Sequence, residues 1–280
     1  AIKALEEPIR NKQPFFLNMA HYAVHTPIMT DKRFVQKYYD AGLGSTGAKY
    51  AALIEGMDKS LGDLMDYLAQ KHVANNTIII FMSDNGGLSL SPPRGAKEYT
   101  HNLPLKAGKG SLYEGGIREP MIVKWPGVVK EGSVNDQPLI IEDFFPSILE
   151  MAGLSHYEKV QLVDGQSFVP LLRGEQKAIL NRALVWHYPN KWQNKDWPGV
   201  NYKSAIRLGD WKLIYNMRDG KKELYNLKVD IGEHKDLASE NPGKVKELAA
   251  LLGQKLRAWN AVMPTFKASG KQVPWPDEIL

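Results

Sequence analysis

The sequence predicts an α/β protein: part of a doubly wound, mostly parallel sheet over residues 1–180, then a smaller antiparallel sheet packed by a helix over residues 181–280. Three observations carry this expectation. Two apolar runs, PFFLNMAHYAVHTP (14–27) and IIIFMSDNGG (78–87), end abruptly in polar residues, as buried strands do where they reach a sheet rim. A helical pattern lies between them, so strand, helix and strand form a crossover in the parallel sense. After about residue 180 the pattern changes to short β-rich runs separated by Gly-Asp and Asp-Gly turns.

Each element has its own signal. AIKALEEPIRNK opens the chain as an amphipathic helix leading into strand 14–21. Between Lys49 and His72, Tyr50, Leu53, Ile54, Met57, Leu61, Leu64, Met65 and Leu68 recur at three- and four-residue spacing and form one apolar face. Asn75-Asn76 turns the chain into strand 77–83. MIVKWPG (121–127) reads as a strand, and IEDFFPSILEMAGL (141–154) as a helix with a glycine near its end. ALVWHYP, SAIRLGDWKLIYN and KELYNL are the strands of the smaller unit, with Arg218-Asp219-Gly220-Lys221 as a hairpin turn. A last helix spans about 243–262, with Val245, Leu248, Leu252, Leu256 and Trp259 on one face.

Composition narrows the class. The chain has 280 residues, 43% hydrophobic and 24% charged, the proportions of a folded globular protein. No apolar run approaches the ~20 residues of a membrane helix. The net charge of +5 is spread among acidic residues, which suits an acidic small substrate and argues against nucleic acid. The absence of cysteine excludes disulfides, thiolate metal sites and a cysteine nucleophile. The chain starts with a helix and strand and shows no signal-peptide pattern, so we read it as the C-terminal part of a longer protein.

The chemistry concentrates at two motifs. Asp84 and Asn85, at the end of a buried strand, supply a carboxylate and an amide oxygen, hard ligands suited to Ca²⁺ or Mg²⁺. Asp-Asn-Gly is also an ordinary turn; its place at a strand end, before Gly86-Gly87, is what marks it. Lys109, between two glycines, is a point charge where the backbone can pass close to an anion. Glu114, Arg118 and Glu119 read as a structural charge network behind that loop. His21 and His25 follow the first strand, and His25, before Thr26-Pro27, is the better candidate for general acid or hydrogen-bond donor. His101 and His187 are the candidate substrate-binding residues, His187 in VWHYP where a loop leans over the pocket. Parallel strands 14–21 and 77–83 would bring His25, Asp84 and Lys109 to one edge of the sheet.

These stretches resemble the C-terminal portion of a type I sulfatase of the alkaline-phosphatase-like superfamily. The likeness runs in order through PFFLNMAHYAVHTP, MDKSLGDLMDYL, IIIFMSDNGG, NLPLKAGKGSLYEGGIREPMIVKWPG, RLGDWKLIYN, ELYNL and DIGEHKDLA. It implies that Asp84 and Asn85 bind Ca²⁺ in the full-length enzyme, with weak or no binding expected of two protein ligands alone in this chain, and that Lys109 and His25 contact the sulfate or its bridging oxygen. It also implies a formylglycine nucleophile, formed from Cys or Ser in a C/S-x-P-S-R motif. No such motif occurs here: Ser91-Pro92-Pro93-Arg94 has the wrong order and spacing. The expectation is therefore the C-terminal half of a sulfatase active site, inactive alone. Its resemblance to bacterial glycan sulfatases implies a sulfated carbohydrate substrate and a periplasmic or secreted address. The alternatives are a phosphodiesterase or phosphonate monoester hydrolase of the same superfamily, or a non-catalytic module binding acidic glycans.

Overall fold

A computed structural model describes residues 1–89, 102–154, 157–158, 160–175, 182–194 and 197–279. The chain divides into two compact units whose segments alternate along the sequence. The first holds Ala1–Phe81 and Met121–Gly127; the second holds the described residues of 82–90, 99–120 and 128–280. No helix among the described residues is long and apolar enough to cross a membrane.

In the first unit, α1 (Ile2–Arg10), α2 (Val35–Asp40) and the long α3 (Ser45–Gln70) accompany a two-stranded sheet of β1 (Ile79–Met82) and β2 (Met121–Lys124). The 3.6-residue pattern makes α3 a helix, but its expected apolar face is only partly covered. Ala48, Ala52 and Leu68 are buried, whereas Ile54 is 42% exposed and, with Met57, Leu61 and Met65, lines an apolar groove closed by Ile79, Phe81 and Ile122. Helix α2 is tied to α3 by Glu55, which accepts from Lys37 Nζ at 2.5 Å and Tyr38 Oη at 2.9 Å.

The expected strand over 14–21 does not form. A strand needs a neighbour for its ladder of N–H and C=O groups, and no described residue supplies one. Phe16 (74% exposed) and Met19 (40%) lie open on this segment.

In the second unit, β3 (Ala183–Tyr188), β4 (Lys203–Leu208), β5 (Trp211–Asn216) and β6 (Lys222–Asn226) form an antiparallel meander in sequential order, as the sequence predicts. The 218–221 turn closes as expected: Asn216 N–H donates to Lys221 O, and Gly220, at φ +75°, completes the reversal. Register sets the two faces. Ile206, Leu213 and Leu224 are cross-strand neighbours and point one way; Ala205, Ile214 and Glu223 are neighbours and point the other. The first face packs on α7 (Pro242–Ala258) through Leu248, Leu252 and Leu256, all fully buried. Trp259, expected on the same stripe, stands at the helix end and is 43% exposed. The second face receives Ala107, Leu112 and Tyr113 from the loop that follows the first motif.

Three short helices complete this unit: α4 (Glu114–Ile117), α5 (Phe144–Met151) and α6 (Val169–Leu172). The last two are joined through Asp143, which is fully buried, accepts from Ile140 N and Gln166 N at 2.9 Å each, and pairs with Arg182 Nη1 and Nη2.

Removing the buried leucine that centres the α7 face should be costly. Leu252→Ala is expected to lower unfolding free energy by about 2–5 kcal/mol, whereas Trp259→Ala should cost under about 1 kcal/mol. Urea denaturation of the two variants checks the pair, and equal losses would contradict the packing described.

Candidate functional site

The site is built where two loops of the second unit meet. After β1 the chain turns through Ser83, whose hydroxyl donates to Asn85 O at 2.9 Å. Gly86 N–H then donates to Gly116 O at 3.1 Å, and a Cβ at Gly86 would collide with the Gly115 carbonyl oxygen. Gly87 is gripped by Asn102: its N–H donates to Asn102 Oδ1 (3.0 Å), and its carbonyl accepts from Asn102 Nδ2 (2.8 Å) and from Lys109 N–H (3.2 Å). The backbone carrying Asp84 and Asn85 is thereby held directly against the backbone carrying Lys109.

The loop around Lys109 has little regular structure of its own and borrows rigidity from the four-stranded sheet. Glu114, at the start of α4, is 2% exposed; its Oε1 accepts from Lys212 Nζ at 2.9 Å and its Oε2 from Arg118 Nε at 2.8 Å. Lys212 and Glu233 are both 0% exposed. Lys212 Nζ also lies 2.9 Å from Glu233 Oε1, an ion pair without hydrogen-bond alignment, while Glu233 Oε2 accepts from Glu114 N–H at 2.6 Å. Burial pushes the carboxyl groups up; Lys212 and Arg118 more than offset this at Glu114, holding it below its ordinary value, whereas Glu233 stays raised.

A second anchor lies beside it. Lys106 Nζ donates to Glu233 O at 3.0 Å and sits 4.0 Å from the Tyr113 ring centroid and 5.1 Å from that of Tyr225. Tyr113 and Tyr225 hydroxyls both donate to Glu223 Oε2, at 2.5 and 3.0 Å. Burial, then Glu223, pushes the Tyr113 hydroxyl far above its usual range.

Lys109 differs from these lysines. It is half-buried and, among the described residues, no carboxylate pairs with it. Asp84 is exposed. Asn85 Nδ2 donates to Gly86 O at 3.2 Å, which leaves Oδ1 available as an acceptor. Glu119, expected in the structural charge network, instead stands by Asp84. Its Oε1 is buried without a partner, and its carboxyl is raised to about 7 by burial and by the Asp84 charge. An orphaned carboxylate oxygen beside a second carboxylate, with an amide oxygen adjacent, is a donor set that fits a hard divalent cation. No group of three or more His, Asp or Glu that could hold a metal ion is found among the described residues.

The histidines are placed as follows. His25 belongs to the first unit and is exposed; its Nδ1 is 2.6 Å from Thr26 O and its ring meets Tyr22 edge-on at 5.6 Å. His21 Nε2 is 3.1 Å from Ser60 Oγ. His187 engages both ring nitrogens, with Ser204 Oγ (2.8 Å) and Val262 O (2.9 Å), so contact with a substrate would cost it one of them. His101 and the 91–94 segment lie outside the described residues. Sequence reasoning missed Asn102, Lys106, Lys212, Glu223 and Glu233; no local pattern distinguishes them from surface residues.

Residues 2–154 match the sulfatase family model, and residues 108–261 match the model of the C-terminal region of N-sulphoglucosamine sulphohydrolase. A sulfatase of Formosa agariphila is 35% identical over 284 residues, spanning 94% of this chain and 50% of that protein. Human N-acetylgalactosamine-6-sulfatase is 33% identical over 198 residues, spanning 65% of this chain and 36% of that protein. Among solved structures, Ps i-CgsB in complex with k-i-k-neocarrahexaose superposes with a TM-score of 0.76 at 27% identity, covering 98% of this chain and 54% of that one. BT4656 in complex with its substrate D-glucosamine-2-N,6-O-disulfate gives a TM-score of 0.60 at 25% identity, covering 80% and 45%. The chain thus spans about half the length, or less, of the relatives it matches.

Two outcomes test the geometry. Lys212→Met leaves Glu114 and Glu233 buried face to face, and should cost on the order of 3–5 kcal/mol in chemical denaturation; a loss below about 1 kcal/mol would be inconsistent with a buried triad. For Glu119, a folded value raised from 4.5 to about 7 means its stabilising contribution is complete below pH 4.5 and is lost as pH rises through about 7. In chelator-containing buffer, Glu119→Gln should therefore gain stability relative to the parent chain from pH 4.5 to 7, and a flat difference would contradict a carboxyl raised by burial and the Asp84 charge.

Proposed function

Because the chain belongs to the sulfatase family, we propose that it supplies the anion-binding and metal-binding side of an active site that hydrolyses sulfate esters of a carbohydrate. The observation that carries this is the junction of the two loops: the Gly87 carbonyl accepts from Lys109 N–H, and Gly86 from the Asp84-Asn85 turn bonds to Gly116. A carboxylate and amide pair and an unpaired ammonium are thereby held by one backbone network.

In this reading Asp84 and Asn85 would hold a Ca²⁺ ion, whose charge, when bound, would polarise the sulfuryl oxygens. Lys109 offers a fixed positive charge to the same oxygens, stabilising the charge that develops as the ester bond breaks. His25 is assigned to the leaving alcohol and His101 and His187 to the substrate's rim, all three on the sequence reading. The nucleophile, formylglycine in this family's chemistry, has no C/S-x-P-S-R motif in these 280 residues, so the isolated chain is assigned binding without turnover. Sulfated glycan as substrate is supported by relatives solved with such sugars, and a periplasmic or secreted address by kinship alone.

The test is direct. Homogeneous chain should release no product from an aryl sulfate above background, yet bind inorganic sulfate in calorimetry, with Lys109→Ala weakening that binding. Steady turnover would overturn the inactive assignment, and equal sulfate affinity in the parent chain and Lys109→Ala would overturn the anion site. Preference for phosphate over sulfate would point to phosphoryl chemistry instead.

A further inference from the structure

The residue after Lys109 is shaped around an aromatic ring. Gly110 has φ +83°, and a Cβ placed there would run into the six-membered ring of Trp192. The six-membered ring of Trp192 therefore packs against Gly110, the residue that follows Lys109. Trp192 comes from the loop between β3 and β4, and this loop is built rather than draped. Asn201, 1% exposed, accepts from Trp192 N–H (2.7 Å) and Gln193 N–H (3.0 Å) through Oδ1, and its Nδ2 donates to Gln193 O (2.9 Å). The same loop is fastened to the lysine loop, where Leu112 N–H donates to Gly199 O at 3.0 Å and Gly199 fits against Ser111 and Tyr113. Despite this anchoring, Trp192 keeps part of its surface in solvent.

A large ring pinned by backbone bonds loses little conformational freedom on binding and offers a flat apolar surface with a polar N–H edge. A pyranose has a matching shape: a face of C–H groups with hydroxyls at the rim. We propose that Trp192 is the aromatic wall of a sugar subsite beside Lys109, stacking on the C–H face of the sugar whose sulfate Lys109 neutralises. This deepens the sulfated-carbohydrate reading and rests on it. It assigns substrate preference to a segment 83 residues downstream of the lysine (192 − 109), joined to it through Gly110 and Gly199.

The experiment titrates the full chain with three probes: inorganic sulfate, D-glucosamine 2-N,6-O-disulfate and unsulfated D-glucosamine. Affinity is read by calorimetry, and the Trp192 indole N–H by ¹⁵N-resolved NMR. The disulfated sugar should bind more tightly than inorganic sulfate and shift the Trp192 indole signal. Trp192→Ala should weaken the disulfated sugar about three- to tenfold, the range of an aromatic contact, and leave inorganic sulfate unchanged, while Trp192→Phe recovers much of the loss. If Trp192→Ala binds the disulfated sugar as the parent chain does, the subsite is wrong while the anion site stands. Should it weaken sulfate and sugar equally, the ring supports the loop and touches no sugar. Failure of the parent chain to bind inorganic sulfate would overturn the anion site and the subsite with it.

Discussion

The second unit depends on one ammonium group. Lys212 projects from β5 into a fully buried position between Glu114 and Glu233. Through it the polar side of a four-stranded sheet grips a loop that cannot hold its own shape. A buried ion cluster of this kind adds little net stability over a well-packed apolar core of equal volume, because desolvation offsets most of the attraction. What it adds is geometry. An apolar contact tolerates a shift of the loop by an ångström; a lysine that must meet two carboxylates does not, since either error leaves a bare charge in a low-dielectric interior.

That constraint propagates outward. Cross-strand register puts Arg207, Lys212 and Tyr225 on one sheet face, with Ala205, Ile214 and Glu223 continuing it. Every polar member of that set has a use in the loop's neighbourhood: Lys212 on Glu114, Arg207 nearby at 3.8 Å, Glu223 and Tyr225 around Tyr113 and Lys106. The opposite face is apolar and carries α7. A single meander therefore does two jobs by alternation: one side supplies the hydrophobic burial that folds it, the other a polar mould for the loop. The orientation of Lys109 is set by residues about a hundred positions later in the chain.

This arrangement explains which parts were legible in the sequence. WKLIYN is a short β-rich run between Gly-Asp and Asp-Gly turns, so β5 and its neighbours could be read, and α3 and α7 follow from their spacing. Nothing in that run marks Lys212 for burial, because its partners, Glu114 and Glu233, lie far from it in sequence. The strand expected over 14–21 carries the right residues, but strand formation is non-local, and its ladder partner is not among the described residues. Glu114 and Arg118 read as a charge network behind the loop, and they do pair. Glu119, one residue beyond Arg118, was grouped with them, yet extended backbone at Arg118 turns it away toward Asp84. Gly110 announced a close approach; that its neighbour was Trp192 could be seen only in three dimensions.

The electrostatics of the site follow by subtraction. Glu114 is consumed by Lys212 and Arg118, Glu233 by Lys212 and the Glu114 N–H, and Glu223 by two tyrosine hydroxyls. The acidic groups packed around the loop are thus each given a partner that is not Lys109. Lys106, the other cation on the loop, is sequestered between two aromatic rings. What remains unneutralised at the junction of the two loops is Lys109 on one side and Asp84 with Glu119 on the other, among the described residues. A cation on one loop and a carboxylate pair on the other, joined through the Lys109 N–H to Gly87 O bond, form the arrangement on which the proposed metal and anion sites rest.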